Sequence, residues 1–300
     1  MGALMTRSGF VALAGRPNVG KSTLVNALVG QKVAIVSDKP QTTRRAIRGV
    51  ATDQTHPPEW QLVLTDLPGV QRPRDALTER MQARVERELA DSDAALMVVN
   101  GEEGIGPGDR FIAQTLRGAG VPVVLAVNKI DRLDRGRTVR VLTEAAELDI
   151  GDDVFPVSAR TGSGVGPLRE HLAALMPEGP FLFPSDERSD QSLEVTLAEL
   201  VREQVLRRTF QEVPHSVEVK VDEIEDRGAV TVVRALVWVE TESQKGILIG
   251  AGGRMIKSIG TAARKELERE LGGRVHLELA VRVRRGWRGD EGLLDRLGIE

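Results

Sequence analysis

The sequence predicts two domains: an α/β unit whose mostly parallel sheet is covered by helices on both faces, followed by a smaller α+β unit. Three observations predict this. Residues 1–175 alternate apolar, β-branched runs with helix-period stretches; a proline-rich, charged tract then breaks every period; beyond it the order becomes α-β-β-α-α-β. A length of 300 residues suits two domains, and 41% hydrophobic with 28% charged residues excludes the disordered and fibrous classes.

Strands are predicted at 10–14, 62–65, 94–99, 121–127 and 154–157, where short apolar runs are flanked by turn residues. Runs apolar at every position must be buried on both faces, as in a parallel sheet. Helices are predicted between them at 21–29, 75–89, 109–116, 137–148 and 165–175. Pro177, Pro180 and Pro184 with the charged stretch after them mark a linker at 177–190, so the domains are 1–176 and 191–300. The second begins with a helix at 191–208 and strands at 216–225 and 229–240, joined by a hairpin turn at Asp226-Arg227-Gly228. A short helix at 243–249, a glycine loop, a long helix at 254–271 and a strand at 274–284 complete it.

With no cysteine there is no disulfide, thiolate metal site or cysteine nucleophile, which fits a reducing compartment. The longest apolar runs, 94–99 and 121–127, fall far short of the roughly 18 to 20 residues of a membrane span. The net charge of −3 conceals a strong polarity: residues 186–242 carry 7 basic and 14 acidic side chains, whereas 245–288 carry 11 basic and 4 acidic. The four histidines lack metal-ligand spacing.

Gly15-Arg16-Pro17-Asn18-Val19-Gly20-Lys21-Ser22 fits G-x-x-x-x-G-K-[ST] between a strand and a helix, the context this phosphate-binding motif requires. Glycines let successive N–H groups, those of Val19 to Thr23 included, face phosphate oxygens; Lys21 reaches the β- and γ-phosphates, and the Ser22 hydroxyl is a Mg²⁺ ligand. A side chain at position 20 is expected to block the phosphate's approach. Asp66-Leu67-Pro68-Gly69 ends the strand at 62–65, placing a carboxylate where it can hold the Mg²⁺ shell. Asn128-Lys129-Ile130-Asp131 and Ser158-Ala159-Arg160 end two further strands, so both reach the same sheet edge as the phosphate loop. Asp131 can accept two N–H bonds from guanine, whereas adenine offers no matching donors.

With these motifs in order across residues 9–175, the chain resembles the translation-factor-like GTPases. The resemblance implies a P-loop GTPase domain that binds GTP and GDP with Mg²⁺, with Lys21, Thr43, Asp66 and Gly69 carrying the hydrolysis. Thr42 and Thr43 both lie where this superfamily's first switch supplies a Mg²⁺ ligand, and Thr43 is favoured. Gly15, Asn18, Val19, Gly20, Ser22, Thr23, Asn128, Lys129, Asp131, Ser158, Ala159 and Arg160 would surround the nucleotide. Many relatives follow the glycine with a glutamine that orients water, but Val70 stands here, so slow intrinsic hydrolysis is expected. Asn18 matches the residue that ligates a charge-substituting K⁺ in part of the superfamily; its other reading is a loop cap.

In the basic island, Gly250-Ala251-Gly252-Gly253 lies between two apolar helices. G-x-x-G alone is uninformative, but the helix-loop-helix context, the α-β-β-α-α-β order and the charge together resemble a type II KH domain, which binds single-stranded RNA. Gly250 to Gly253 would approach the strand, with Arg254, Lys257, Arg282, Arg284, Arg285 and Arg288 on phosphates. Trp287 either stacks on a base or covers the core. Aromatic content of 3% with no tyrosine speaks against platform stacking of the RRM kind.

A GTPase domain followed by one KH domain is similar to the Era family along essentially the whole chain. Leu67 departs from the Thr frequent at that place in the family, a change expected to affect packing rather than chemistry. The resemblance implies a small-subunit assembly factor that binds the 3′ end of small-subunit ribosomal RNA on the small ribosomal subunit. It implies a monomer in the cytoplasm that touches the inner face of the membrane peripherally. The alternative is a nucleotide-gated scaffold whose second domain holds a protein and whose hydrolysis is incidental.

Overall fold

In a computed structural model the structure describes residues 6–39, 42–55, 57–69, 76–151, 153–210 and 213–297. They group into two units. The first contains β1 (Arg7–Ala14), α1 (Lys21–Val29), β2 (Ile47–Thr52), β3 (Trp60–Asp66), α2 (Ala76–Ala90), β4 (Ala94–Asn100), α3 (Pro107–Arg117), β5 (Val123–Asn128), α4 (Arg135–Ala146), β6 (Val154–Pro156) and α5 (Val165–Leu175).

Its sheet runs β2-β3-β1-β4-β5-β6. Every pairing is parallel except that of β2 with β3. Because side chains alternate across a strand, β1 sends Val11 and Leu13 into one apolar cluster and Ala12 and Ala14 into another. Likewise β4 divides Leu96 and Val98 from Met97 and Val99, so each face of the sheet carries its own core. Leu67 is fully buried in the second cluster, where it packs.

The strand β2 was not among the predicted ones, because its Ile-Arg-Gly-Val-Ala-Thr sequence carries no sustained apolar period. Gly49 at its centre lies against α1: a Cβ there would stand 2.9 Å from the Val29 and Val33 side chains. Residues 177–190 differ from a free linker, being grouped with the first unit. The buried Gln61 amide explains this, accepting from Leu182 and Phe183 N–H at 2.9 and 3.0 Å and donating to Phe183 O.

The second unit contains α6 (Leu193–Arg208), α7 (Val213–Ser216), β7 (Glu218–Asp226), β8 (Thr231–Val239), α8 (Glu242–Ile249), α9 (Arg254–Leu271), β9 (Val275–Val283) and α10 (Glu291–Arg296). Its sheet runs β7-β8-β9, with β7 antiparallel and β9 parallel to β8. Val233, Ala235, Val237 and Val239 of β8 pack with Leu197 and Val201 of α6 and with Ile259, Ala263 and Leu267 of α9. The stretch Ile35–Thr42 also groups here: Val36 N–H donates to Glu203 at 3.0 Å, and the Arg202 guanidinium donates to the Thr42 carbonyl. No described helix is long and apolar enough to cross a membrane.

Candidate functional site

Four parallel strands carry the nucleotide motifs to one sheet edge: β1 feeds the phosphate loop, β3 ends at Asp66, β5 at Asn128, and β6 leads to Ser158. Ligands bind at the carboxyl ends of such strands because the helix N-termini open there. The helix α1 has no side-chain cap and no acidic residue in its first turn, leaving its first N–H groups free to receive phosphate. Lys21 donates to the carbonyls of Gly15 and Arg16 at 3.0 and 3.1 Å. Burial pushes its ammonium down to about 8, against the opposing attraction of Asp66.

A compact acceptor cluster stands beside it. Ser22 Oγ donates to Asp66 Oδ2 at 2.6 Å, Thr43 Oγ1 to the same oxygen at 3.2 Å, and the two hydroxyls are 3.1 Å apart. Asp66 is fully buried, which pushes its carboxyl up while Lys21 opposes the shift. Its Oδ1 has no hydrogen-bond partner among the described residues. Two hydroxyls and one carboxylate, whose second oxygen is left orphaned, suit Mg²⁺, which prefers few protein ligands together with phosphates and water. Of the two threonines the structure brings Thr43 here, whereas the Thr42 hydroxyl donates to Lys39 O at 2.6 Å. Gly69 packs on the phosphate loop, where a Cβ would stand 2.8 Å from Pro17. Val70 lies outside the described residues.

Asn128 joins three loops. Its Nδ2 donates to Val19 O at 2.9 Å and its Oδ1 accepts from Ala159 N–H at 3.0 Å. Gly20, at φ 101°, passes so close that a Cβ would lie 2.4 Å from Asn128 Nδ2. The obstacle to a larger residue at 20 is thus Asn128 as well as the incoming phosphate. Lys129, itself left-handed at φ 68°, donates to Asn18 O at 2.8 Å. Asp131 accepts from Ser158 Oγ and from Arg160, both at 2.6 Å. Those two bonds, Ser158 first, hold its carboxyl below the usual carboxylate range.

Arg16 occupies a variable position of the phosphate-loop motif. Its guanidinium meets the fully buried Asp109 at 2.9 Å and Glu103 at 3.0 Å, and Asp109 also accepts from Gly106 N–H at the start of α3. No local signal pairs residues 93 apart in sequence.

In the second unit Gly250, at φ 70°, closes α8, and a Cβ there would lie 2.8 Å from that of Met255. Ala251 and Gly252 are exposed, and α9 begins with no acidic residue in its first turn. A groove of about 360 Å³ between α9 and β9 is lined by Ile256, Leu277 and Leu279 with Lys257, Arg264 and His276. Arg282, Arg284 and Arg285 lie at the end of β9 and beyond it, with Arg285 exposed and Arg284 stacked 5.5 Å over Trp238. Arg288 is half-buried. Trp287 corrects the RNA-contact expectation. It is fully buried and its indole N–H donates to Ser216 O at 3.0 Å, so it belongs to the core.

Residues 10–129 match the family described as 50S ribosome-binding GTPase, and residues 212–288 match the KH domain. GTPase Era of Mycobacterium avium is 45% identical over 98% of this chain and 99% of its own length. GTPase Era of Mycobacterium tuberculosis is 45% identical over 97% and 98%. Among solved structures, a variant Aquifex aeolicus Era bound to GDP·AlF4⁻ has a TM-score of 0.93 and 35% identity, covering 98% of this chain and 99% of that one. An Era in complex with MgGDPNP and nucleotides 1506–1542 of 16S ribosomal RNA gives the same TM-score, identity and coverage. Full-length identity at this level, with a guanine-nucleotide site in the first unit and a G-x-x-G loop between helices in the second, makes the chain a member of the Era family of GTPases.

Proposed function

We propose that this protein is a GTP-hydrolysing assembly and maturation factor of the small ribosomal subunit, whose KH domain binds the single-stranded 3′ end of small-subunit ribosomal RNA. The observation that carries the reading is the presence in one chain of the Ser22–Thr43–Asp66 cluster beside Lys21 and of the Gly250–Gly253 loop beside an apolar groove. A relative that matches over 98% of the chain holds MgGDPNP and 16S rRNA nucleotides 1506–1542 together.

Lys21, charged when it meets phosphate, binds the β- and γ-phosphates and neutralises the charge that develops on them. Ser22, Thr43 and Asp66 would hold the Mg²⁺, which supplies electrostatic stabilisation of the transferring phosphoryl group. Asp131 reads the guanine edge, exchanging Arg160 for the base, while Asn128 fixes the three loops around it. Asn18 is the K⁺ ligand in this reading. The protein acts as a monomer in the cytoplasm, consistent with its lack of cysteine, and touches the inner face of the membrane only peripherally.

The test is a mobility shift with an RNA of the rRNA 3′ end, single-stranded or paired to its complement. The single strand should bind and the duplex should not, since a KH groove reads bases by their edges. Replacing Ala251 and Gly252 by Asp places two negative charges where phosphate approaches, and Asp tolerates the left-handed φ of 61° at position 252. Undiminished binding by that variant, with an unchanged circular-dichroism spectrum, would remove the KH reading.

A further inference from the structure

A second groove, of about 610 Å³, runs along the other side of α9, between it and α6. It is lined by Arg208, Arg254, Lys257, Lys265 and Arg269, with Glu266 the one carboxylate, and that carboxylate is taken by Arg269 at 2.6 Å. Arg208 projects from the C-terminal turn of α6, where it donates to Ser258 Oγ at 3.4 Å and to Gln204. It comes from a segment of net negative charge, so the basicity of the groove is assembled locally from two helices. Arg254, Lys257, Lys265 and Arg269 are exposed. From the first to the last of them α9 advances about 22 Å at the helical rise, enough to follow several phosphates.

We propose that this groove binds the sugar–phosphate backbone of the same RNA strand where it continues beyond the G-x-x-G loop, by charge and without reading bases. The inference rests on the RNA reading of the KH groove. Continuity supports it: Lys257 and Thr261 line both grooves, and Arg254 stands at the loop where a strand would cross the N-terminus of α9. The lining chemistry separates the two. The α9–β9 groove has an apolar floor for bases, whereas the α6–α9 groove contains no aromatic side chain and only Ala262 as an apolar one. Such a surface offers no stacking platform for a base, no apolar anchor pocket for a protein, and no apolar face to insert into lipid. Cations with hydroxyl and amide donors are what positions a phosphate backbone.

The test uses the full-length, nucleotide-loaded protein and fluorescence anisotropy with two kinds of RNA probe: a single strand of the rRNA 3′ end just long enough to fill the KH groove, and the same strand lengthened by either of two unrelated sequences. The unmodified protein should bind both long probes equally and more tightly than the short one. Arg208→Gln, Lys265→Gln and Arg269→Gln together should abolish that gain, lower the slope of log affinity against log salt by about 2, and leave the short probe unchanged. The single change Lys265→Glu, at an exposed position, should lower the gain in the same direction should the triple variant misfold. A gain that survives both variants, or no gain in the unmodified protein that binds the short probe, overturns the groove assignment alone. Failure to bind the short probe overturns the KH reading and this one with it. Loss of binding to phosphatidylglycerol vesicles with an intact RNA gain would overturn it in favour of a membrane surface.

Discussion

Replacing Gly20 with Ala tests whether the nucleotide site is held by Asn128. The added Cβ would lie 2.4 Å from Asn128 Nδ2, and the backbone at φ 101° is one an L-residue adopts only under strain. The strain costs about 1 kcal/mol, and displacing Asn128 forfeits its bonds to Val19 O and from Ala159 N–H at about 1 kcal/mol each. Apart from any clash with the phosphate, which the single and double variants share, the total of about 3 kcal/mol weakens GDP binding about 100-fold. Asn128→Ala alone should cost about 2 kcal/mol, and it also removes the atom that the new methyl at position 20 would strike. The double variant should therefore cost close to 3 kcal/mol, against about 5 kcal/mol by simple addition. Fluorescent-GDP titration of the four proteins measures the cycle. Additive costs, or Gly20→Ala binding about as tightly as the unmodified protein, would refute the argument that Asn128 is the obstacle.

Lys21, near 8 without nucleotide, should be returned to full charge by phosphate, so Mg²⁺-free GDP should take up about half a proton at pH 8, with affinity rising as pH falls from about 9 to about 7. Calorimetry in two buffers of different ionisation enthalpy reads the uptake, and none at that pH would mean that Lys21 is already charged. GTP hydrolysis should be faster in KCl than in NaCl at equal ionic strength, and Asn18→Ala should erase the difference; equal rates in the unmodified protein would remove Asn18 from the mechanism. Trp287→Phe leaves Ser216 O without its indole donor and opens space in the core, so it should destabilise the second domain by about 1–3 kcal/mol. Short-strand RNA affinity below the melting transition should hold, and a selective loss of it would return Trp287 to the RNA surface.

The parts legible in the sequence are those whose physics is local. A glycine-rich turn between a strand and a helix, and Asp66, Asn128 and Ser158 at strand ends, announce themselves because backbone geometry and side-chain chemistry coincide within a few residues. The α-β-β-α-α-β order of the second unit was equally readable, since a hairpin turn and a glycine loop punctuate it. What escaped depends on partners distant in the chain. Arg16 looks like any loop arginine until Asp109 is buried against it. In the sequence Asn128 is part of a base-recognition motif, while its bonds to Val19 and Ala159 arise only when three strand ends meet. The strand β2 hides its Gly49 contact with α1, and 177–190 looks like a linker until Gln61 engages it. Trp287, which the sequence leaves open between stacking on a base and covering the core, is fully buried, with Ser216 O as the partner of its indole N–H.

The central claim is that Asp131, set by Ser158 and Arg160 just beyond the end of β5, makes this a guanine site. Competition of GTP, ATP and XTP against labelled GDP, for the unmodified protein and Asp131→Asn, tests it most directly. The original should prefer GTP over ATP by about a thousandfold or more, and the variant should exchange that preference for XTP, because the amide reverses the donor and acceptor sense of the contact. ATP displacing GDP as well as GTP does, or a variant that still prefers GTP to XTP, would contradict it.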